Sequence, residues 1–359
     1  MRRTKREGFY VFVASSYELD GLPAYIPCYC GVSAVRRENG TLVTWAYRGP
    51  VGNVLKGFKV YVGLFTRGRL FKRIELSTGA IDGVSPSVAY DRVSGRALIV
   101  WRRLGENERP LECDLVDVEA FKVLTRLKLE ADPDKPAVVI YRGLFYILYR
   151  KHGDIYCSLL RPRDGKVILK LPMTSTRISE SYPMAVSSGK GVLVVWFERV
   201  TGSLGLALIR ERGVVRVGHC LVTGVGPRRY GIAYLPGAGC LLACELMEGG
   251  RGVGALALVD ARTGKLIWLK SRLPHIPWNP RLCPIKGGTV AYTGVDGLYL
   301  IEVKRLEGPS LLGQLEATPF VGEEAVVSLK SSLYVITPHF WGNDTLSIKE
   351  VGMWTLKRS

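Results

Sequence analysis

The chain has 359 residues, 47% of them hydrophobic, enough for an extensive core, yet it contains no uninterrupted apolar run of about eighteen residues, which excludes a membrane-spanning helix. Its 50 Lys and Arg against 32 Asp and Glu leave a formal charge of +18, an excess that favours contact with nucleic acid, anionic glycans or an acidic protein face, or that serves solubility in a basic proteome. The eight cysteines include no CxxC pair, which excludes zinc-ribbon and thioredoxin-type sites and leaves core packing or intracellular disulfides.

Residues 1–16 place a charged segment before a short apolar stretch, as a signal peptide does. Residues 9–15 alternate like a strand, however, and no small-x-small cleavage pattern follows, so a cytoplasmic location is expected over a secreted or virion-associated one. From there on, a short apolar strand, a Gly or Ser turn and a second apolar strand recur at intervals of about 42 to 56 residues. The pairs cover 29–35 with 41–47, 86–101 (Pro86 to Trp101 around a Ser-Gly turn), 137–141 with 144–149, and 183–196 (Pro183 to Trp196). They continue through 231–235 with 240–244, 282–285 with 289–293, and 325–329 with 333–336. Near-continuous apolar strands of this kind are covered on both faces.

A second hairpin follows each pair. It is clearest at 59–65 with 70–76, at 155–160 with 167–171 around Asp164-Gly165-Lys166, and at 255–259 with 266–269 around Thr263-Gly264-Lys265. Glycine supplies the positive φ that such tight turns need. Residues 115–118, 206–209 and 298–303 supply the matching strand in the other repeats. After 346–351 only 353–357 remains, so the last repeat is short by a strand that 9–15 can supply.

A four-stranded unit repeating at this period in an all-β chain reads as a seven-bladed β-propeller, in preference to six or eight blades. One domain is expected over 1–359, with blades starting near residues 29, 85, 136, 182, 229, 280 and 322. The N-terminal strand is expected to pair into the last blade and close the ring, which removes two exposed sheet edges.

The segment 255–268, Ala-Leu-Ala-Leu-Val-Asp-Ala-Arg-Thr-Gly-Lys-Leu-Ile-Trp, resembles the blade repeat of PQQ-type quinoprotein propellers, and Asp164-Gly165-Lys166 echoes its turn. The Pro-Ser-Val-Ala run from Pro86, with the Val-Trp ending at Trp101 and Trp196, resembles sialidase-like propellers. The vicinal cysteines of the first group and the Ser-x-Asp-x-Gly-x-x-Trp box of the second are absent. The resemblance therefore implies architecture, and no cofactor is expected.

Propellers bind ligands on the face formed by the loops after the second strands and those leading into the next blade. In this register those positions hold Arg48, Arg102, Arg103, Arg150, Lys151, His152 and Arg199, with Arg228, Arg229 and Arg281 leading into later blades. Together they form a basic rim able to hold phosphate or carboxylate. The acids Asp296, Glu323, Glu324 and Asp344 face them, and Glu180, Tyr182, Glu198 and Glu245 are the candidates should the site be catalytic. Trp278, Phe340 and Trp341 sit in long loops as candidate stacking platforms, or fold back over a blade edge. His275 and His339 lack a placed third ligand, so no metal site is expected, and the glycine-spaced loop 49–57 leads into a strand, unlike a phosphate-binding loop.

The expected function is a non-catalytic interaction scaffold that binds an acidic protein or nucleic acid through the basic loop face. The alternatives are a glycoside hydrolase or lyase acting on an anionic carbohydrate, and a structural or attachment protein of an archaeal virus; a small-molecule ligand in the central channel is a further alternative. Glutamine occurs once, at Gln314, and asparagine only at Asn39, Asn53, Asn107, Asn279 and Asn343, a scarcity of thermolabile amides expected of a hyperthermophile.

Overall fold

The computed structural model describes residues 9–18, 32–38, 40–48, 58–66, 69–77, 82–104, 110–132, 134–176, 179–210, 213–220, 230–273, 280–285, 288–294, 297–305, 307–316, 325–329, 332–338 and 346–355. The described strands form seven antiparallel sheets of four strands each. Among the described residues no helix is long and apolar enough to cross a membrane.

In six sheets the four strands follow one another in the chain. The first comprises Val32–Arg37, Gly40–Arg48, Phe58–Thr66 and Arg69–Glu75, and the second Asp82–Asp91, Arg96–Leu104, Leu111–Asp117 and Lys122–Leu129. The third comprises Ala137–Tyr141, Leu144–Lys151, Asp154–Leu160 and Val167–Pro172, and the fourth Glu180–Ser188, Gly191–Glu198, Ser203–Arg210 and Gly213–Cys220. Tyr230–Leu235, Gly239–Glu248, Arg251–Val259 and Leu266–Leu273 make the fifth; Leu282–Pro284, Thr289–Gly294, Gly297–Lys304 and Gly308–Glu316 make the sixth. The last sheet joins Ala325–Leu329, Ser332–Pro338 and Leu346–Thr355 to the N-terminal strand Phe9–Glu18, which pairs from Phe9 with Thr355 to Glu18 with Ser347.

In the first sheet the expected strand 29–35 is described from Val32 and runs on to Arg37, and residues 29–31 lie outside the described residues. Pro86 and Pro183 do not open their strands: each sits with its preceding residue in a bulge, where the register slips between Val84 and Ser87 and between Ser181 and Met184. A proline lacks the N–H that a ladder needs, but a bulge leaves that position unpaired, so the strand continues through it from Asp82 or Glu180. The segments expected at 346–351 and 353–357 form one strand, Leu346–Thr355, because Gly352 pairs with Phe12 on one side and Ser332 on the other.

The core lies between consecutive sheets. One apolar cluster joins the first and second sheets through Trp45, Val62, Ile99 and Trp101, and others join each later pair up to the sixth. The second and third strands carry most of this burial, and Gly191–Glu198 is buried at every position. The fourth strands meet water instead: in Lys122–Leu129 exposed residues alternate with half-buried ones. Exposed Lys72, Lys122, Lys128, Lys170 and Lys270 stand on these outermost strands, where charge blunts pairing with another chain's strand. Part of the net charge is thus spent on edges. The five described cysteines, Cys113, Cys157, Cys240, Cys244 and Cys283, are all buried, and burial pushes the Cys240 thiol up to about 12.

Candidate functional site

The first strands of neighbouring sheets stand against one another and line a half-open cavity of about 230 Å³. Its wall is built by a repeated local device. Pro86, Pro136, Pro183 and Pro280 line it, Pro86 and Pro183 in the bulges of first strands and Pro136 and Pro280 just before first strands, and backbone-to-hydroxyl bonds tie one sheet to the next. Val88 donates its N–H to Ser33 Oγ at 3.2 Å and Val138 donates to Ser87 Oγ at 3.3 Å. Ser85 and Tyr182, which precede the bulge prolines, both adopt φ of 53°, a strained conformation for a side-chain-bearing residue. Tyr182 is held there from two sides: its N–H donates to Asp134 Oδ2 at 2.8 Å, and the Tyr230 hydroxyl donates to its carbonyl.

The rim above this cavity is the end of the sheets where second strands finish and first strands begin. Arg102, Arg103, Arg150 and Lys151 lie at the ends of second strands, Arg199 follows one, and Arg281 precedes the first strand of the sixth sheet. These described cations therefore share one face. Most of them have neighbours that the sequence did not reveal. Arg150 Nε stands 3.4 Å from Asp132 Oδ2 and its Nη2 donates to Ser179 Oγ at 3.0 Å, while Lys151 donates to Glu130 Oε2 at 2.6 Å. His152 Nε2 lies 3.5 Å from Glu130 and Arg103 Nη1 3.9 Å from Glu112. Arg199 Nε donates to Ser181 Oγ at 3.3 Å. Of the described rim residues, Arg281 alone lines the cavity; its Nη2 reaches across to the Val32 carbonyl at 3.2 Å. The rim is a mixed surface of cations with acids set between them.

The carboxylates considered for catalysis are buried. Glu180 is 0%, Glu198 1% and Glu245 4% exposed, and none of the three lines the cavity. Glu180 accepts from Thr174 Oγ1 and from Thr176 Oγ1 at 2.9 Å; burial pushes its carboxyl above the ordinary range, the threonine bonds pull it back, and Asp154 and Glu198 add to the rise. Glu198 Oε2 accepts from Thr201 at 3.1 Å and Ser203 at 2.9 Å, which closes the turn between two strands. Tyr182 does line the cavity.

Arg228, Arg229, Trp278, Phe340, Trp341, Asp296, Glu323, Glu324, Asp344, His275 and His339 lie outside the described residues, and Arg48 is described by its place at the end of Gly40–Arg48 alone. Among the described residues no group of three or more His, Cys, Asp or Glu is placed to hold a metal ion. The cavity also brings in Lys135, which sequence reasoning passed over. Its signal was present: Lys135 precedes Pro136 as Ser85 precedes Pro86 and Tyr182 precedes Pro183.

No protein-family model and no curated protein matches this sequence. Solved structures match it across nearly its whole length. A hydrazine synthase chain of Kuenenia stuttgartiensis superposes with a TM-score of 0.64 at 10% identity, over 92% of this chain and 98% of that one. A chain of the mitotic checkpoint complex gives 0.62 at 13% identity, over 97% and 94%, and the Dos1 propeller gives 0.57 at 10%, over 95% of each. The fold is that of a β-propeller. At these identities the likeness carries the architecture of the propeller, and the function has to be argued from the site.

Proposed function

We propose that this propeller is a non-catalytic interaction scaffold that holds an acidic protein through the face bearing Arg102, Arg103, Arg150, Lys151, Arg199 and Arg281. The observation that carries the reading is that these cations, from four different sheets, stand at one end of the fold. The acids between them favour a protein over nucleic acid as the partner. Asp132 and Glu130 break the rim into separate cationic spots, which suits spaced carboxylates better than a continuous phosphate chain.

The test uses poly-glutamate as a stand-in for an acidic protein segment and an oligonucleotide of equal charge. Salt-sensitive binding of poly-glutamate, weakened at least tenfold when Arg102, Arg150 and Arg199 become Ala, is the expected result. Tighter binding of the oligonucleotide would turn the reading to nucleic acid. Turnover of an anionic glycan that is lost in Glu198→Ala or Glu245→Ala would replace the scaffold with an enzyme.

The same proposal takes the seven sheets as seven blades of one closed ring, completed by the N-terminal strand. The pairing of Phe9–Glu18 with Leu346–Thr355 supports this, as does the contact of Val32–Arg37 with Ala325–Leu329. Deleting residues 1–16 is expected to lower the melting temperature steeply, and an unchanged melt would refute the closure. A melting temperature of the intact chain below about 60 °C would remove the hyperthermophile reading.

A further inference from the structure

We infer that the face opposite the rim, where first strands turn into second and third into fourth, docks on an anionic membrane surface and holds lipid phosphates against the cations of its turns. It uses none of the rim residues. In the described turns of this face Lys and Arg outnumber Asp and Glu about two to one, and they are spread over the first six sheets. Even with every acid of the face set against one cation, a positive excess remains, and it attracts a dense anionic surface.

The aspartates of these turns are committed to the turns themselves. Asp117 Oδ1 accepts the N–H groups of Glu119 and Ala120 at 3.0 and 2.8 Å, and Asp260 Oδ1 accepts those of Arg262 and Thr263, both at 2.9 Å. Asp164 accepts Arg161 Nε at 3.0 Å and the Lys166 N–H at 3.2 Å, and the Arg161 guanidinium holds its carboxyl down at about 2. What the same turns expose is cationic: Arg163, Lys166, Arg262 and Lys265 are all exposed. The exposed acids Glu38 and Glu307 sit against Arg92 and Lys304.

Contacts between sheets bring these turns side by side. Arg96 Nη1 of the second sheet donates to the Pro162 carbonyl at 2.7 Å and to the Arg163 carbonyl, Arg210 Nη2 of the fourth donates to the Arg262 carbonyl at 2.5 Å, and Arg305 Nη2 of the sixth reaches Asp260 Oδ2 at 2.6 Å. A carbonyl is neutral, so the charges of Arg96 and Arg210 stay on the face, each beside a further arginine. Like charges gathered in this way repel until an anionic surface covers them. The shape of the patch selects the partner: a flat bilayer meets turns from several sheets together, whereas a nucleic-acid duplex, being a rod, crosses only some of them. Among the described residues of these turns no aromatic is exposed to stack on a base, while Val93, 94% exposed, is placed to enter the headgroup layer.

The experiment is co-sedimentation of the full chain with phosphatidylcholine vesicles, with and without phosphatidylglycerol, at low and high salt. Binding to the anionic vesicles alone, weakened by salt, is expected. Arg163→Gln, Lys166→Gln, Arg262→Gln and Lys265→Gln combined should weaken it at least about tenfold, since each cation near an anionic surface contributes severalfold. The bonds of Arg163 and Arg262 to neighbouring sheets run through their carbonyls, which the exchange leaves in place. Arg163→Lys with Arg262→Lys should keep the binding, and so should the rim variant lacking Arg102, Arg150 and Arg199, whatever that variant does to poly-glutamate. Equal binding to neutral vesicles, no binding to either, an unchanged affinity in the combined Gln variant, or the same loss in the rim variant would overturn the inference. Tighter binding of a DNA duplex with the same sensitivity to the Gln exchanges would assign the face to nucleic acid and overturn the membrane. Should the combined variant not fold, Arg163→Gln with Lys166→Gln, confined to one turn, takes its place: a loss of a few-fold supports the face, and no loss overturns it.

Discussion

Trp101 in the second sheet and Trp196 in the fourth hold the same place near the end of a second strand, are 1% and 0% exposed, and are accommodated by opposite means. Trp101 Nε1 donates to Asp114 Oδ2 at 2.7 Å, Asp114 Oδ1 accepts Arg126 Nε at 2.6 Å, and Arg126 Nη2 reaches the Leu76 carbonyl of the first sheet. A polar chain that begins at the buried Asp114 and runs out through the exposed Arg126 thus ties two sheets together. Trp196 instead lies on Gly205, where an added Cβ would come within 2.2 Å of the ring, and its Nε1 has no hydrogen-bond partner among the described residues. Trp45 in the first sheet takes the packing route as well, with Gly63 against its ring and Tyr61 stacked at 5.7 Å. One register position of a repeat therefore fixes the size and burial of a side chain, and its neighbours on the third and fourth strands decide whether its polar atom is paired.

The comparison breaks most visibly at Asp114. Asp114→Ala leaves Arg126 and Trp101 without their shared acceptor, and a loss of about 3 kcal/mol is expected in denaturant unfolding, from two bonds to a charged group of about 1.5–3 kcal/mol each. Next comes Gly205→Ala, expected to cost about 1–3 kcal/mol because the Trp196 ring must shift in a filled core; a neutral result would mean that the close approach is not needed. Trp101→Phe and Trp196→Phe remove similar volume, but the first also strips a bond from a buried carboxylate. The first should therefore cost about 1 kcal/mol more than the second, and equal losses would sink the distinction drawn between the two sheets.

The smallest effect is a pH dependence confined to the polar side of the comparison. Burial pushes the Asp114 carboxyl above its ordinary 3.8, with the bonds to Arg126 and Trp101 acting against the rise. Glu112, on the same strand, is raised by burial too. A raised carboxyl takes up its proton more readily in the folded state, so its stabilising contribution is complete below the unfolded value and is lost as pH rises through the folded one. The unfolding free energy of the unaltered chain minus that of Asp114→Asn should accordingly grow as pH falls from 7 toward 4. No parallel change is expected for Trp196→Phe.

Much of the architecture was legible because it depends on short-range pattern. The apolar second strands, the Asp-Gly and Thr-Gly turns and the aromatics at Trp45, Trp101, Tyr149 and Trp196 all follow from alternation and turn chemistry within a few residues. The prolines misled at strand starts, since a bulge is invisible until the partner strand fixes the register. The rim was legible in its cations and not in their partners. Asp132 meets Arg150, and Glu130 meets Lys151, because the loop leading into the third sheet returns beside the end of that sheet's second strand, about twenty residues away in the chain.

By itself, then, the sequence determined that this chain is all-β, built from repeated four-stranded units, with strand positions set by the period-two pattern and by glycine turns. It also placed positive charge where second strands end. Tertiary structure alone decided that Arg126 joins Asp114 to the Leu76 carbonyl, that Trp196 rests on Gly205, and that Lys135, Arg281, Ser33 and Ser87 line one cavity. The physical reason is distance along the chain: hydrophobic alternation acts between neighbours, whereas a cavity is assembled from side chains up to about 250 residues apart, which only the stacking of the sheets brings together.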